Sequence, residues 1–358
     1  MSNTPNPVGP VNYYMITNRA PNAGSPGFSN SVAANGALTF LMAPISNPTT
    51  FNIVDQDDWL AALFVDLDNL SEEGAYRWVT FFVHGYGLTF NDAVRVFPTY
   101  FANIEGSESP AYPGIYVGFD WPSADDALTQ EKAFKAAKAN AQLTGAESFP
   151  LLLPILQQIK GHASGMQRPV ALSAICHSMG NYAMYEGASS LNTKNGPPIF
   201  NQILCVAAML EASGFNDPNA VTYCQDISNA AQRVTIYYSA YDNILPIAEQ
   251  KGFDGYPELG IWGPTYDNTL LPNVIGVNCS LVVNAANTQK YGVPSPGIHV
   301  SYFYIPEVLF DIALTIRARP AGDVPNRSVL TGTAVGFQMM PEPAAQASAG
   351  RGRATIGA

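Results

Sequence analysis

The stretch that decides the fold of this chain is Pro169-Val-Ala-Leu-Ser-Ala-Ile-Cys-His-Ser-Met-Gly180. Its apolar first half predicts a buried strand, and the residues that follow Met179 are compatible with a helix. Ser178 therefore lies on a sharp turn between a strand and a helix, which presents a serine hydroxyl at the strand end and requires small neighbours. Gly180 is such a neighbour, and Cys176 is small but stands where a glycine is usual. These residues predict a nucleophilic serine, provided that its chemical partners occur elsewhere in the chain.

Buried strands alternate with helices on both sides of this turn. The predicted strands are 11–17, 38–42, 78–83, 114–119, 170–175, 203–209, 233–238 and 275–283, and the predicted helices are 57–69, 91–103, 129–160, 181–188 and 306–317. Continuous apolar strands between helices predict an α/β fold, with a mostly parallel central sheet and helices on both faces.

Changes in composition near both ends divide the chain into three segments. Residues 1–35 are rich in Pro, Gly, Asn and Ser, and we interpret them as an N-terminal extension that carries a first edge strand. Residues 36–320 are expected to form the catalytic α/β domain. Residues 321–358 lose periodicity and are interpreted as a C-terminal extension that is flexible at its end.

The composition is that of a folded globular protein, because 47% of the 358 residues are hydrophobic and 13% are charged. The net charge of −11 argues against nucleic acid as a partner. The longest apolar run, 203–210, is too short to span a bilayer, and the N-terminus lacks a signal-peptide pattern, so we expect a cytoplasmic protein. The four cysteines have no C-x-x-C spacing and no H-E-x-x-H motif occurs. We therefore expect buried thiols and neither a metal nor a cofactor.

A nucleophilic serine needs a general base, and the chain has four histidines. His84 follows the strand 78–83, His162 lies in a loop sequence, and His177 adjoins Ser178, so its ring should point away from the pocket that the serine faces. His299 follows the last predicted strand and precedes the last predicted helix. That position is the one expected of the base when the order along the chain is serine, acid, histidine.

The acid that orients the base has two candidates, each at the end of a predicted strand. Asp242 follows the second strand after the one that leads to Ser178, which is the commoner placement. Glu211 follows the strand 203–209. We predict that Ser178, Asp242 and His299 are the catalytic residues, and we keep Glu211 as the alternative acid.

Two backbone N–H groups should stabilise the oxyanion that forms when the serine attacks. One belongs to Met179 at the start of the helix, and our prediction for the other is Tyr86, between two glycines that let the backbone approach closely. The His84 ring should brace this loop. The residues expected at the pocket or forming its apolar wall are His84, Gly85, Tyr86, Gly87, Trp121 and Met179, with Trp121 at the mouth.

Four blocks of sequence occur in a distinctive order: Tyr13-Tyr-Met-Ile-Thr-Asn-Arg19, Phe82-Val-His-Gly-Tyr-Gly-Leu-Thr-Phe-Asn-Asp-Ala93, Phe119-Asp-Trp-Pro-Ser123 and His177-Ser-Met-Gly-Asn181. In this order and spacing they resemble the esterase- and lipase-like α/β hydrolases of a largely uncharacterised bacterial family. The resemblance implies the α/β-hydrolase fold and a triad of Ser178, Asp242 and His299, but no particular substrate. Glu211 stands where Asp is frequent in that family, which keeps the choice of acid open.

We therefore expect a serine hydrolase that cleaves a small-molecule carboxylic ester through an acyl-enzyme intermediate. An acyltransferase, a thioesterase or a lipase with the same triad is an alternative, as is a non-catalytic binding module on the same scaffold. The sequence identifies neither the ester nor the oligomeric state.

Overall fold

The computed structural model describes residues 10–22, 27–70, 76–107, 114–124, 130–162, 168–192, 196–250, 255–267, 269–333 and 335–341. The strands are β1 Asn12–Thr17, β2 Arg19–Pro21, β3 Phe28–Val32, β4 Thr39–Pro44, β5 Asn52–Val54, β6 Arg77–Val83, β7 Ile115–Asp120, β8 Val170–His177, β9 Phe200–Val206, β10 Ala231–Tyr238, β11 Val274–Asn278, β12 Arg327–Val329 and β13 Gly336–Met339. The helices are α1 Gln56–Asp68, α2 Phe90–Glu105, α3 Gln130–Leu143, α4 Phe149–Gly161, α5 Gly180–Leu191, α6 Gln225–Ala230, α7 Leu245–Gln250, α8 Leu259–Trp262, α9 Ala285–Lys290 and α10 Pro306–Ile316.

Eleven of the described strands form one sheet in the order β12-β13-β11-β10-β9-β8-β6-β7-β1-β4-β5, while β2 and β3 form a small separate sheet. The pairings from β1 through β7, β6, β8, β9, β10 and β11 to β13 are all parallel, and the outer pairings are antiparallel. Every residue of β6, β8 and β9 is buried, so both faces of the sheet centre are covered. The predicted α/β fold with a mostly parallel sheet is confirmed.

The sheet extends further at both edges than the sequence predicted. The first strand was expected at an edge, but β1 lies inside the sheet, because β4 pairs with its outer side and β5 pairs with β4. At the opposite edge, β12 and β13 come from the segment interpreted as a C-terminal extension, and β13 pairs with β11. The flexible end predicted for this segment lies largely outside the described residues.

The sequence predicts a helical stretch over 129–160 with breaks at Gly145, Pro150 and Pro154. The structure has two helices here, α3 and α4, and the π-helical turn Thr144–Ser148 between them includes Gly145. Helix α4 continues past Pro154, where the sequence predicted a break. Among the described residues, no helix combines the length and the apolar character needed to cross a membrane.

The parallel strands set the position of the functional residues. The loops that follow β6, β8, β10 and β11 all leave the carboxyl edge of the sheet, and in open α/β sheets this edge carries the site. The residues predicted from sequence for nucleophile, acid, base and oxyanion donors come from these loops or directly follow them.

Candidate active site

Ser178 lies at the tip of the turn between β8 and α5, with a backbone φ of 52°. A non-glycine residue rarely adopts this left-handed conformation, which costs roughly 1–3 kcal/mol and persists only when its surroundings hold it. The Ser178 N–H donates to the carbonyl of Val206 at 3.0 Å, and the N–H of Met209 donates to the Ser178 carbonyl at 3.3 Å. Both ends of the strained residue are therefore fixed by the neighbouring strand β9 and the loop that follows it.

The Asn181 side chain holds the same turn from inside. Its Nδ2 donates to the carbonyls of Cys176 at 2.8 Å and Ser178 at 3.1 Å, and Asn181 is fully buried. These bonds tie the residue before the turn to the residue at its tip. The sequence reasoning included Asn181 in a motif but gave it no role, since an amide that binds its own turn has no distinctive spacing.

Two glycines let the loop after β6 pack directly on this turn. A Cβ on Gly85 would lie 2.7 Å from Ser178 Cβ, and a Cβ on Gly180 would lie 2.5 Å from the carbonyl oxygens of Val83 and His84. Gly87 has a different reason: its φ is 88°, and nothing lies within 4 Å of a Cβ built there. The close approach predicted for both loop glycines therefore holds for Gly85, whereas Gly87 supplies a left-handed backbone.

Asp242 and His299 form a buried pair. His299 Nδ1 lies 2.7 Å from Asp242 Oδ2, and the two residues are 4% exposed. Asp242 Oδ1 accepts hydrogen bonds from the backbone N–H groups of Ile244 at 2.9 Å and Leu245 at 3.0 Å, where α7 begins. Because a carboxylate can only accept, Nδ1 of His299 carries the proton, which leaves Nε2 as an acceptor in the neutral ring.

Asp242 is held as a carboxylate. Burial alone would raise the pKa of Asp242, but His299 and the backbone N–H groups of Leu245 and Ile244 outweigh that effect, and the pKa is lowered. The acid therefore keeps its negative charge beside the imidazole over the neutral pH range.

Glu211, the alternative acid, is occupied elsewhere. Its Oε1 accepts from the Ser213 hydroxyl at 2.6 Å, and its Oε2 accepts from the Val221 N–H at 2.6 Å. These bonds tie together the loop that follows β9. The structure brings Asp242, and not Glu211, to the imidazole of His299.

His177 lies behind His299, away from the cavity described below. Its Nε2 is 3.1 Å from the backbone carbonyl of His299, and the two ring centroids are 4.8 Å apart. The ring also contacts Phe303 edge-on at 5.3 Å. Burial, helped by the charge of His299, lowers the pKa of His177 to about 3. His177 is therefore neutral at ordinary pH, and its Nε2–H donates to the His299 carbonyl.

His84 binds the loop that carries Tyr86. His84 Nδ1 lies 2.8 Å from the carbonyl oxygen of Gly85, and Nε2 lies 3.1 Å from Asp120 Oδ1. In a trans peptide the N–H points opposite to the C=O, so binding the Gly85 carbonyl turns the Tyr86 N–H away from the His84 ring. Burial would raise the pKa of Asp120, but Arg19 and His84 lower it.

Trp121, His84 and Met179, which the sequence placed at the pocket or in its wall, are not among the described residues that line the cavity. Trp121 is fully buried, stacks on the His84 ring at 5.5 Å and donates its indole N–H to the His84 carbonyl at 2.7 Å, so it braces the loop from the core. His84 likewise faces the core because its ring is bound by Gly85 and Asp120. The Met179 side chain is fully buried as well. Gly85 packs against Ser178 and is likewise not among the described lining residues.

A cavity of about 590 Å³ opens at the carboxyl edge of the sheet, and Ser178 and His299 both line it. Its size is within the range of small-molecule sites. Its lining residues are Tyr86, Gly87, Leu88, Asp92, Val96, Tyr100, Phe134, Ser178, Met209, Ile244, Leu245, Ile247, Pro294, Ser295, Pro296, His299, Val300 and Tyr304. Tyr86 and Gly87 were predicted at the pocket, and Ser178 and His299 as catalytic residues. Most of the other lining residues come from α2 and from residues 294–304, which the sequence analysis did not place at the pocket.

Within the described residues, no group of three or more His, Cys, Asp or Glu side chains is arranged to hold a metal ion. The cysteines at 176, 205, 224 and 279 are free and buried, as expected from their apolar surroundings.

A family model described as alpha/beta hydrolase of unknown function (DUF900) matches residues 66–252, just over half of the chain. Neither the curated proteins nor the solved structures gave a match. The matched range contains Ser178, Asp242 and the loop 84–88.

Proposed function

The chain belongs to this family of alpha/beta hydrolases, and from that premise we propose that it is a serine hydrolase that cleaves carboxylic esters through an acyl-enzyme intermediate. The observation that carries the proposal is the buried pair of His299 and Asp242, 2.7 Å apart, beside a cavity that Ser178 also lines. A nucleophile, a base and a buried carboxylate that orients the base are the parts that this chemistry needs.

The first step is attack by Ser178. Its Oγ adds to the carbonyl carbon of the ester, and the hydroxyl proton passes to His299 Nε2. Asp242 supports this transfer because it holds the Nδ1–H tautomer and stabilises the imidazolium that forms. The elbow conformation of Ser178 supports it too, since the turn projects the serine from the end of β8.

The negative oxygen that develops in this step needs hydrogen-bond donors. We assign the backbone N–H groups of Met179 and Tyr86. Met179 directly precedes α5, and the first N–H groups of a helix have no partner within the helix. The hydrogen bond between His84 and the Gly85 carbonyl supports Tyr86, because it turns the Tyr86 N–H away from the core.

The tetrahedral intermediate then collapses. The bond to the alcohol oxygen breaks, and His299 gives its proton to that oxygen, which leaves the acyl group on Ser178. A water molecule repeats the attack with His299 as base, and the second collapse releases the acid and returns the proton to Ser178. The reaction consumes one ester and one water and yields one acid and one alcohol.

The test is hydrolysis of p-nitrophenyl butyrate by the wild type and by Ser178→Ala. We expect the alanine variant to lose roughly 10⁴-fold or more in kcat, because the covalent route is closed. Ser190→Ala is the matched control, since Ser190 lies on α5 with its hydroxyl bound to the Gly187 carbonyl, away from the cavity. If the wild type hydrolyses the ester no faster than Ser178→Ala, a non-catalytic binding module is the better interpretation.

A further inference from the structure

The described residues that line the cavity include an acidic side chain but no lysine or arginine. Most of the lining side chains are aliphatic or aromatic, among them Leu88, Val96, Ile247 and Val300. The carboxylate among the described lining residues is that of Asp92. None of the described lining residues is a lysine or an arginine.

Asp92 is held on the wall by the start of α2. Its Oδ2 accepts from the Thr89 N–H at 3.1 Å while its own N–H donates to Thr89 Oγ1 at 3.2 Å, which forms a capping box. The same Oδ2 also accepts from the Thr89 hydroxyl at 2.6 Å. Its Oδ1 binds Arg95 at 2.6 Å. Burial would raise the pKa of Asp92, but these bonds from Thr89 and Arg95 lower it, so the carboxylate stays ionised.

The countercharge of Asp92 faces solvent. The Arg95 side chain is 68% exposed and is not part of the cavity lining. As far as the described residues form it, the wall that a substrate meets is mostly apolar and carries the carboxylate of Asp92, while the Arg95 guanidinium lies outside it. Burying a second negative charge there would leave it without a partner, which is costly.

We propose that the cavity accepts esters with an uncharged aliphatic acyl chain and rejects esters whose acyl chain ends in a carboxylate. This inference rests on the proposed function, since it names the substrate class of the same site. The cavity volume of about 590 Å³ leaves room for a chain longer than acetyl. Asp92 is the specificity-determining residue, because its charge makes an apolar pocket repel anions rather than merely bind them poorly.

Two series of substrates with the same leaving group test the proposal. In p-nitrophenyl acetate, butyrate and hexanoate, kcat/KM should rise by about fourfold for each added methylene, as expected for apolar burial. The p-nitrophenyl monoester of adipic acid has the same number of carbons as the hexanoate but ends in a carboxylate. We expect its kcat/KM to be lower than that of the hexanoate by at least about 100-fold.

The matched variants are Asp92→Asn and Asp57→Asn. Asp57 is an exposed acid in the first turn of α1, so its replacement changes net charge equally without touching the cavity. For each variant we take the ratio of kcat/KM for the hexanoate to kcat/KM for the adipate monoester. This ratio should fall by about tenfold in Asp92→Asn, whereas Asp57→Asn should leave it unchanged. Because the ratio is taken within one variant, a loss of folded protein cancels.

The outcomes separate the two proposals. In one outcome, the acetate ester is hydrolysed while kcat/KM for the hexanoate and for the adipate monoester differ by less than about tenfold. That result would overturn the substrate inference and leave the proposed serine hydrolase intact. An unchanged ratio in Asp92→Asn would overturn the role of Asp92. No turnover of any ester, acetate included, would overturn the proposed function and the substrate inference with it.

Discussion

Asp242 and Glu211 show how little the identity of a residue says until its partners are known. Both are carboxylates that follow a strand of the sheet, and the sequence favoured Asp242 but kept Glu211 as the alternative acid. Asp242 binds His299 at 2.7 Å, whereas both oxygens of Glu211 bind groups in their own loop. The choice depended on contacts between segments far apart in the chain, which a residue pattern does not contain.

Exchanging each carboxylate for its amide tests this assignment. Asp242→Asn should lower kcat by about 10⁴-fold, because the amide donates to Nδ1 and favours the wrong tautomer of His299. Glu211→Gln is the matched control and should keep kcat within about tenfold of the wild type, since it loses bonds within one loop. Steady-state kinetics on p-nitrophenyl butyrate measures both. A larger loss in Glu211→Gln than in Asp242→Asn would move the acid to Glu211.

The sequence predicted the residue types of the site better than their orientation. Ser178, Asp242 and His299 were found because they follow strands in a known order, and strand ends converge at one edge of a parallel sheet. Trp121 also follows a strand, yet its indole donates to the His84 carbonyl and packs into the core. The direction of a side chain in a loop depends on such bonds. The position of Trp121 alone therefore led to the wrong prediction that its side chain lies at the pocket mouth.

At the scale of elements, the 3₁₀ turn Gly297–Phe303 carries His299 and is joined to the end of β8 by His177. His177 is buried and neutral, with its pKa lowered to about 3 by burial and by the nearby charge of His299. An unfolded histidine has a pKa of about 6.5. Below that pH the unfolded chain binds a proton that the folded protein resists, so stability falls as the pH falls from about 6.5 towards about 3.

The free energy of unfolding of His177→Gln should therefore depend less on pH in the acid range than that of the wild type. We expect the free energy of unfolding of the wild type to fall between about pH 6.5 and pH 4.5 more steeply than that of the variant, by on the order of 1 kcal/mol per pH unit. Urea unfolding at several pH values measures the two slopes. Parallel slopes for the wild type and His177→Gln would contradict the account.

Four of the five described strands that the sequence missed are very short. The strands β2, β5 and β12 have three residues each, and β13 has four, so none offers a periodic pattern long enough to recognise. Their pairing depends on partners already in place, as when β13 joins β11. The longer buried strands were predicted because a continuous apolar run is a local signal.

At the scale of the whole molecule, a buried ion pair fastens the C-terminal strands to the sheet. Arg327 Nε lies 2.8 Å from Asp311 Oδ2, and both side chains are fully buried. The Tyr237 hydroxyl donates to Asp311 Oδ1 at 2.6 Å, which links β10, α10 and β12. We propose that residues 327–339 belong to the same folding unit as the catalytic domain.

Arg327→Met tests this proposal, because it leaves Asp311 buried without its cation. Removing one partner of a buried pair should lower the free energy of unfolding by about 3–5 kcal/mol. A single urea transition at a lower midpoint is the expected result. Lys135→Met, which breaks an exposed pair with Glu131, should leave the midpoint almost unchanged. A separate early transition in Arg327→Met, with the main one unmoved, would show that these strands are a separate unit.

The most direct test of the central claim is the site and rate of labelling by a fluorophosphonate, read by mass spectrometry of the digested protein. If His299 and Asp242 activate Ser178, the folded protein should carry one adduct, on Ser178, and His299→Ala should label more slowly by at least about 100-fold. No adduct on the folded wild type, an adduct on another residue, or equal labelling of wild type and His299→Ala would contradict the claim.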